Sequence, residues 1–275
     1  MADVACASDI IPPKNYAVTP GGVNVADGSL QHSVADLSMG TIELQRFHRN
    51  GKVTTRPNDP PFGHNFSHNF DIYVATNPRA PSTNRYPIVH IGNRASGEYF
   101  KLSGSSSISQ SNFDAWRGSL TLSGSQYTFV DNSDSAGTIY TFSATVQAAG
   151  NRVGMSESRR VERIDFADGR RQTISYNASG FLKLVEDTAG YAMVFDYNAS
   201  GDVTAACVFN RSQFYVSSTS TCVGAAFKTS YTYSSSNFVV TDVMGQVTDY
   251  TMGNGGLTCI KPPGYSTCKL SVIGP

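Results

Sequence analysis

The chain has 275 residues, room for one large domain or two small ones, and only 15% of them are charged. Lys plus Arg equals Asp plus Glu at 21 each and the pI is about 6.9, which leaves no electrostatic case for nucleic acid or an anionic membrane as a partner. No apolar run approaches the ~20 residues of a transmembrane helix, and 25 Gly, 15 Phe and 14 Tyr in a Ser/Thr-rich background favour many short strands and turns.

The opening residues, Met1-Ala-Asp-Val-Ala-Cys-Ala-Ser8, carry neither a basic n-region nor an apolar h-region. The expectation is a mature secreted sequence with an added Met, or a virion component exported by another route. A cytoplasmic protein is the alternative. Residues 1–20 lack periodicity and hold Pro12, Pro13 and Pro20, so they read as an extended arm. Val23–Phe47 alternates as two strands, and Asn50-Gly51 is a hairpin-turn signal. Arg56–Phe62, with Pro57, Pro60 and Pro61, reads as a loop, as does Asn77–Arg85. Strands are expected at Asn69–Ala75, Tyr86–Gly92, Glu98–Leu102, Ser119–Leu122, Gln126–Val130, Thr138–Val146 and Val161–Phe166. Serine-rich Gly104–Ser111 reads as a turn or exposed loop, and Asp114–Gly118 around Trp116 as at most one helical turn. No stretch keeps a 3.6-residue period over three turns.

The chain then repeats itself. Gly169-Arg-Arg-Gln-Thr-Ile-Ser-Tyr176-Asn-Ala-Ser-Gly180 is followed by Gly190-Tyr-Ala-Met-Val-Phe-Asp-Tyr197-Asn-Ala-Ser-Gly201. The leading glycines, the tyrosines and the closing glycines each recur 21 residues apart (190 − 169, 197 − 176, 201 − 180). A fixed period of this size signals stacked units. Each copy reads as strand, turn, strand, with incoming strands at Gln172–Tyr176 and Ala192–Tyr197 and outgoing ones at Phe181–Val185 and Asp202–Ala205. Tyr-Asn-Ala-Ser-Gly is turn chemistry, because Asn tolerates unusual backbone angles and Gly accepts positive φ. A degraded third copy places Tyr233-Ser-Ser-Ser-Asn-Phe238 against Tyr176–Phe181, and Thr241–Gly245 against Asp187–Gly190.

Gly-x(5–6)-Tyr-Asn/Asp-x-x-Gly-x-Leu-x-x-Val-x-Asp resembles the YD repeat of Rhs, teneurin and ABC-toxin shell proteins, with Asn177 and Asn198 in the usual Asp place. Upstream, Val23–Leu30, Ile42–Phe47 and Gly63-His-Asn-Phe-Ser-His-Asn-Phe-Asp71 resemble the opening of Rhs shells, with Phe66 standing for a Trp. Tyr127-Thr-Phe129 and Gly137-Thr-Ile-Tyr-Thr-Phe142 resemble a further hairpin of that family. The resemblance implies an all-β fold, a long twisted antiparallel sheet of many short strands curled like a shell. Its parts would be an arm over 1–20, an Rhs N-terminal-like region over 21–150 and a YD-repeat region over 151–275, continuous with it. It also implies a structural role. The chain is far shorter than a family cocoon, with no self-cleavage segment or C-terminal toxin, so it reads as a short member or an N-terminal fragment.

Tyr197 and Tyr233 are 36 residues apart, an excess of 15 over the period of 21, and Cys207 and Cys222 are also 15 apart. The segment between them reads as an insertion closed by a disulfide. Cys259 and Cys268 would staple the Pro262-Pro263-Gly264 turn, leaving Cys6 over. Two such local pairs favour an oxidising compartment, against five buried thiols as the alternative.

Catalytic signals are weak. His64 and His68 have helical ligand spacing, but on a strand they would be ~13 Å apart, too far for one metal. Glu157, Glu162, Asp165 and Asp168 interleave with Arg159, Arg160, Arg163, Arg170 and Arg171, which reads as cross-strand ion pairing rather than a glycosidase pair. No nucleophile elbow, Walker loop, dinucleotide fingerprint or Cys-x-x-Cys occurs. Asn65, Asn177, Asn198 and Asn210 begin Asn-x-Ser matches, two of them in the repeat turns. Tyr215, in the insertion, is the candidate ligand contact, stacking on sugar. The expectation is therefore a non-catalytic, extracellular or cell-surface scaffold without metal or cofactor, partnered by its own copies or by shell or fibre subunits. A glycan- or receptor-binding adhesin and a carboxylate glycosidase are the alternatives.

Overall fold

A computed structural model gives the architecture and describes residues 31–49, 62–63, 66–76, 87–91, 98–103, 107–110, 118–132, 137–145, 147–148, 157–253 and 256–271. The described residues form strands and turns only. The first half holds β1 (Gln31–Met39), β2 (Ile42–Arg49), β3 (Phe66–His68), β4 (Ile72–Thr76), β5 (Pro87–Ile91), β6 (Glu98–Ser103), β7 (Ser107–Gln110), β8 (Gly118–Ser123), β9 (Gln126–Asp131), β10 (Thr138–Phe142) and β11 (Gln147–Ala148). The second holds β12 (Glu157–Asp165), β13 (Arg171–Tyr176), β14 (Leu182–Asp187), β15 (Tyr191–Tyr197), β16 (Val203–Asn210), β17 (Lys228–Tyr233), β18 (Asn237–Thr241), β19 (Val247–Gly253), β20 (Gly256–Lys261) and β21 (Leu270–Ser271).

From β12 to β21 each strand pairs antiparallel with the next, the simplest ladder for a chain of hairpins. β12 is the junction. Its Arg163–Asp165 half lies between β10 and β13, and its Glu157–Arg160 half pairs with β4. Strands β1, β2 and β3 make a separate sheet. Its buried side chains, among them Leu37, Leu44 and Phe66, share one core with Met193, Phe195, Phe238 and Tyr250 of the long sheet. The β1–β2 turn is seated against the opening residues of both repeats. A Cβ on Gly40 would fall 2.3 Å from the Tyr191 ring, and Arg170 Nη1 donates to Thr41 O at 2.8 Å.

The all-β, long-antiparallel-sheet expectation holds. Local differences have physical causes. Gly104–Ser111, expected as a loop, contains β7, because Ser107–Gln110 pairs with Phe100–Ser103 and cross-strand pairing overrides a weak Ser propensity. The strand expected over Thr138–Val146 breaks after Phe142, where Ser143 Oγ accepts the Thr145 N–H. Asn69 is not in a strand. Its side chain imitates one, accepting from Gln45 N and donating to Glu43 O, each at 3.0 Å. The arm over 1–20, the Asn50-Gly51 turn and His64 lie outside the described residues, as does all of Asp114–Gly118 except Gly118, which opens β8.

Candidate functional site

The repeat is a structural period. Tyr176 Oη donates to Val161 O at 2.8 Å and Tyr197 Oη to Leu182 O at 2.6 Å. Tyr233 Oη donates to Val203 O at 2.7 Å. The acceptors are themselves 21 apart (182 − 161, 203 − 182), so each tyrosine braces the carbonyl of an equivalent residue. Gly169, Gly180, Gly190 and Gly201 all take positive φ, between 78° and 94°, in turns closed by N–H bonds to Phe166, Asn177, Asp187 and Asn198. The Asn177 and Asn198 side chains accept from Phe181 N and Asp202 N, each at 2.9 Å, which is the work an Asp would do there.

The third copy differs from the sequence reading in one respect. Tyr176 pairs with Leu182 and Tyr197 with Val203, each across a bulge, whereas Tyr233 pairs with Phe238 without one. Phe238 thus occupies the place of Leu182, not of Phe181. The turn is one residue shorter, so the closing glycine and the bulge disappear together.

The insertion sits between β16 and β17 and leaves the ladder in register. Glu186 pairs with Ala192 and, one repeat on, Cys207 pairs with Lys228 (186 + 21, 192 + 36). Cys207 and Cys222 are bonded, with Cα atoms 5.6 Å apart, as are Cys259 and Cys268, at 5.4 Å. Asp196 anchors the neck. Its Oδ2 accepts from Cys222 N at 2.8 Å, and its Oδ1 meets Lys183 Nζ at 3.2 Å. The loop folds back over the outer face of β14–β16, where Val216 and Cys222 bury Leu184, Ala192, Val194 and Ala205 in a second core. Beyond that cover Tyr215 points to solvent, 93% exposed.

Sequence reasoning missed a polar centre beneath the three-stranded sheet. Arg46, fully buried, donates to Asp36 through Nε at 2.6 Å and Nη2 at 2.9 Å. Asp36 also accepts from Tyr231 Oη at 3.0 Å, and its carbonyl from Thr229 Oγ1 at 2.7 Å. The guanidinium lies over the rings of Phe66, Phe238 and Tyr250 at 4.6, 4.7 and 5.0 Å. Burial works against the Arg46 charge, but Asp36, Tyr250 and Tyr231 together outweigh it and the pKa rises. Burial, then Asp36, raises the Tyr231 phenol. Burial, then Arg46, pushes the His32 imidazole down to about 4. The signal was in the sequence: Ile42, Leu44, Arg46 and His48 are in phase on β2, so a charge occupies a core row.

Of the carboxylates weighed for hydrolysis, Asp165 and Asp168 are ion-paired. Asp165 lies between Arg163 Nε at 2.8 Å and Arg171 Nε at 2.5 Å, while Arg170 reaches Asp168 at 3.6 Å and the buried Asp187 at 3.2 Å. Glu162 is exposed on the same strand. His68 lies in β3, its Nδ1 accepting from Phe70 N at 3.2 Å. Among the described residues no group of three or more His, Cys, Asp or Glu gathers at metal-binding distance, and no helix is long and apolar enough to cross a membrane. No protein-family model matches the chain, and no curated protein matches it.

Proposed function

We propose that the chain is a non-catalytic structural scaffold built from YD-type repeats, working outside the cell as a self-associating unit or as part of a larger shell or fibre. One observation carries the reading. Three tyrosines at equivalent repeat positions each brace an equivalent carbonyl, and the register survives an insertion. The sequence thus invests in a wall of stacked hairpins filled by aromatic rings. Two of the carboxylates considered for chemistry, Asp165 and Asp168, already have cationic partners, which supports the same reading. Sedimentation and light scattering on the purified chain test it. Assembly beyond the 29.5 kDa monomer is expected, and a strict monomer at every concentration overturns it. The extracellular part rests on the two cysteine pairs. Non-reducing mass spectrometry of natively produced protein should find both bonds formed, and free thiols at all four positions would overturn that part.

The exposure of Tyr215 favours a second reading, a glycan-binding module in which the ring stacks on a sugar face. A glycan array should then show binding that Tyr215→Ala abolishes.

A further inference from the structure

Connections in an antiparallel ladder alternate between its two ends. From β12 onward, turns 166–170, 188–190, 211–227, 242–246 and 262–269 lie at one end, and turns 177–181, 198–202 and 234–236 at the other. The exposed large apolar side chains of the described residues all lie at the first end. Tyr215, Val223 and Met244 are 93%, 87% and 80% exposed, and Phe214, Phe227 and Tyr265 about half exposed. Val243 and Val247 flank Met244 and are also exposed. The opposite turns are Asn-Ala-Ser-Gly twice and Ser234-Ser-Ser236; Phe181, which ends the first of them, is stacked on Tyr197 and is not among the exposed apolar groups.

Three further features set this rim apart. Both disulfides tie connections at this end, so its loops are fixed before any partner arrives, which lowers the ordering cost of binding. Its tips are uncharged: 212–227 and 243–247 contain no Asp, Glu, Lys or Arg. Nearby charges are occupied, Arg211 by Glu186 at 2.9 Å and Lys269 over the Tyr265 ring at 4.2 Å. At about 150–200 Å2 per whole residue these exposures sum to roughly 900 Å2 over the three connections, near the ~800 Å2 per partner of a standard interface.

We infer that this rim is the contact between two copies of the chain, placed rim to rim about a two-fold axis. A neutral apolar surface meets its own copy without like-charge repulsion. The polar opposite end offers no complement for a head-to-tail contact, so the pairing closes into a dimer rather than a filament. The inference rests on the self-association proposed above and assigns it a surface.

The test is sedimentation velocity of the full chain over a wide concentration range, for the wild type, a Tyr215→Ser/Val223→Ser/Met244→Ser variant and an opposite-end control, Ala199→Asp, each checked for an unchanged circular dichroism spectrum. The expected result is a wild-type dimer, a control that dimerises alike, and a triple variant at least tenfold weaker, about 1.4 kcal/mol or more. If wild type and triple variant assemble equally, the rim is not the interface, while the scaffold reading stands. If the wild type is monomeric throughout, both fall. A monomer that binds a glycan array through Tyr215 gives the rim to a carbohydrate and overturns the dimer.

Discussion

The two clear repeats share a backbone and differ in what covers them. In the first, β13 alternates strictly: Gln172 and Ile174 are buried, while Arg171 and Thr173 face solvent. In the second, β15 is buried on both faces, because Ala192 and Val194, the counterparts of Arg171 and Thr173 one period on, lie beneath the disulfide-closed insertion. The inner face holds Ile174 in one and Phe195 in the other, both in the main core. The comparison separates two jobs. The inner rows and the braced tyrosines make the wall, and the outer row records whether anything is laid on it. A strand covered on one side reads as alternation, and one covered on both as a continuous apolar run.

Breaking the shared face should have the largest effect. Phe195→Ala removes a fully buried ring and should cost about 3–5 kcal/mol, and Ile174→Ala about 2–4 kcal/mol, read as shifts of the urea midpoint with unchanged slope. Comparable losses would show that the inner row serves both repeats alike. A loss under about 1 kcal/mol at either position would break the equivalence.

Next comes the device that only the second repeat carries. Removing the Cys207–Cys222 bond with paired Ala substitutions should cost about 3 kcal/mol by the loop-entropy argument. Hydrogen exchange should accelerate at β15 and β16, whose outer face loses its cover, more than at β13. Uniform acceleration along the ladder would mean that the insertion stabilises the whole sheet and is not a local lid.

Most of the second half was legible because its signals are local. A period of 21, Asn-x-Ser-Gly turns and an excess of 15 residues fix strand order, register and the disulfide neck without long-range information. The outer cover was also written in Tyr191-Ala-Met-Val-Phe, an unbroken apolar run where Arg171-Gln-Thr-Ile alternates. The Asp36–Arg46 pair spans only ten residues of one hairpin, and Arg46 in an apolar row was its one sequence signal; its burial was not found, because that depends on Tyr231 and Tyr250, roughly 200 residues away in the chain. The Phe181/Phe238 alignment misled for a different reason. Matching aromatic letters hid a turn shortened by one residue, and in a ladder with a side-chain period of two a single residue changes which side chain faces the core.

The outer row offers a smaller test. Val194→Ala, beneath the insertion, should cost about 1–3 kcal/mol, whereas Thr173→Ala at the matching exposed position should stay within about 0.5 kcal/mol. Equal effects at the two positions would mean that the insertion adds no burial.

The finest difference lies in the turns. Gly190 and Gly201 both take positive φ, 94° and 90°, and an alanine at either carries backbone strain of about 1–2 kcal/mol. Space separates them. Nothing lies within 4 Å of a Cβ on Gly190, whereas one on Gly201 would meet the Phe181 ring at 2.7 Å. That ring belongs to the first repeat and stacks on Tyr197 of the second, with centroids 5.1 Å apart, so the two hairpins touch through it. Gly201→Ala should therefore exceed Gly190→Ala by roughly 1 kcal/mol, the usual scale of a local overpacking strain. Adding Phe181→Ala should cancel that excess in a double-mutant cycle, because it removes the obstructing ring. If the excess persists without the ring, the turn itself is the source, and the contact between repeats is incidental to their stacking.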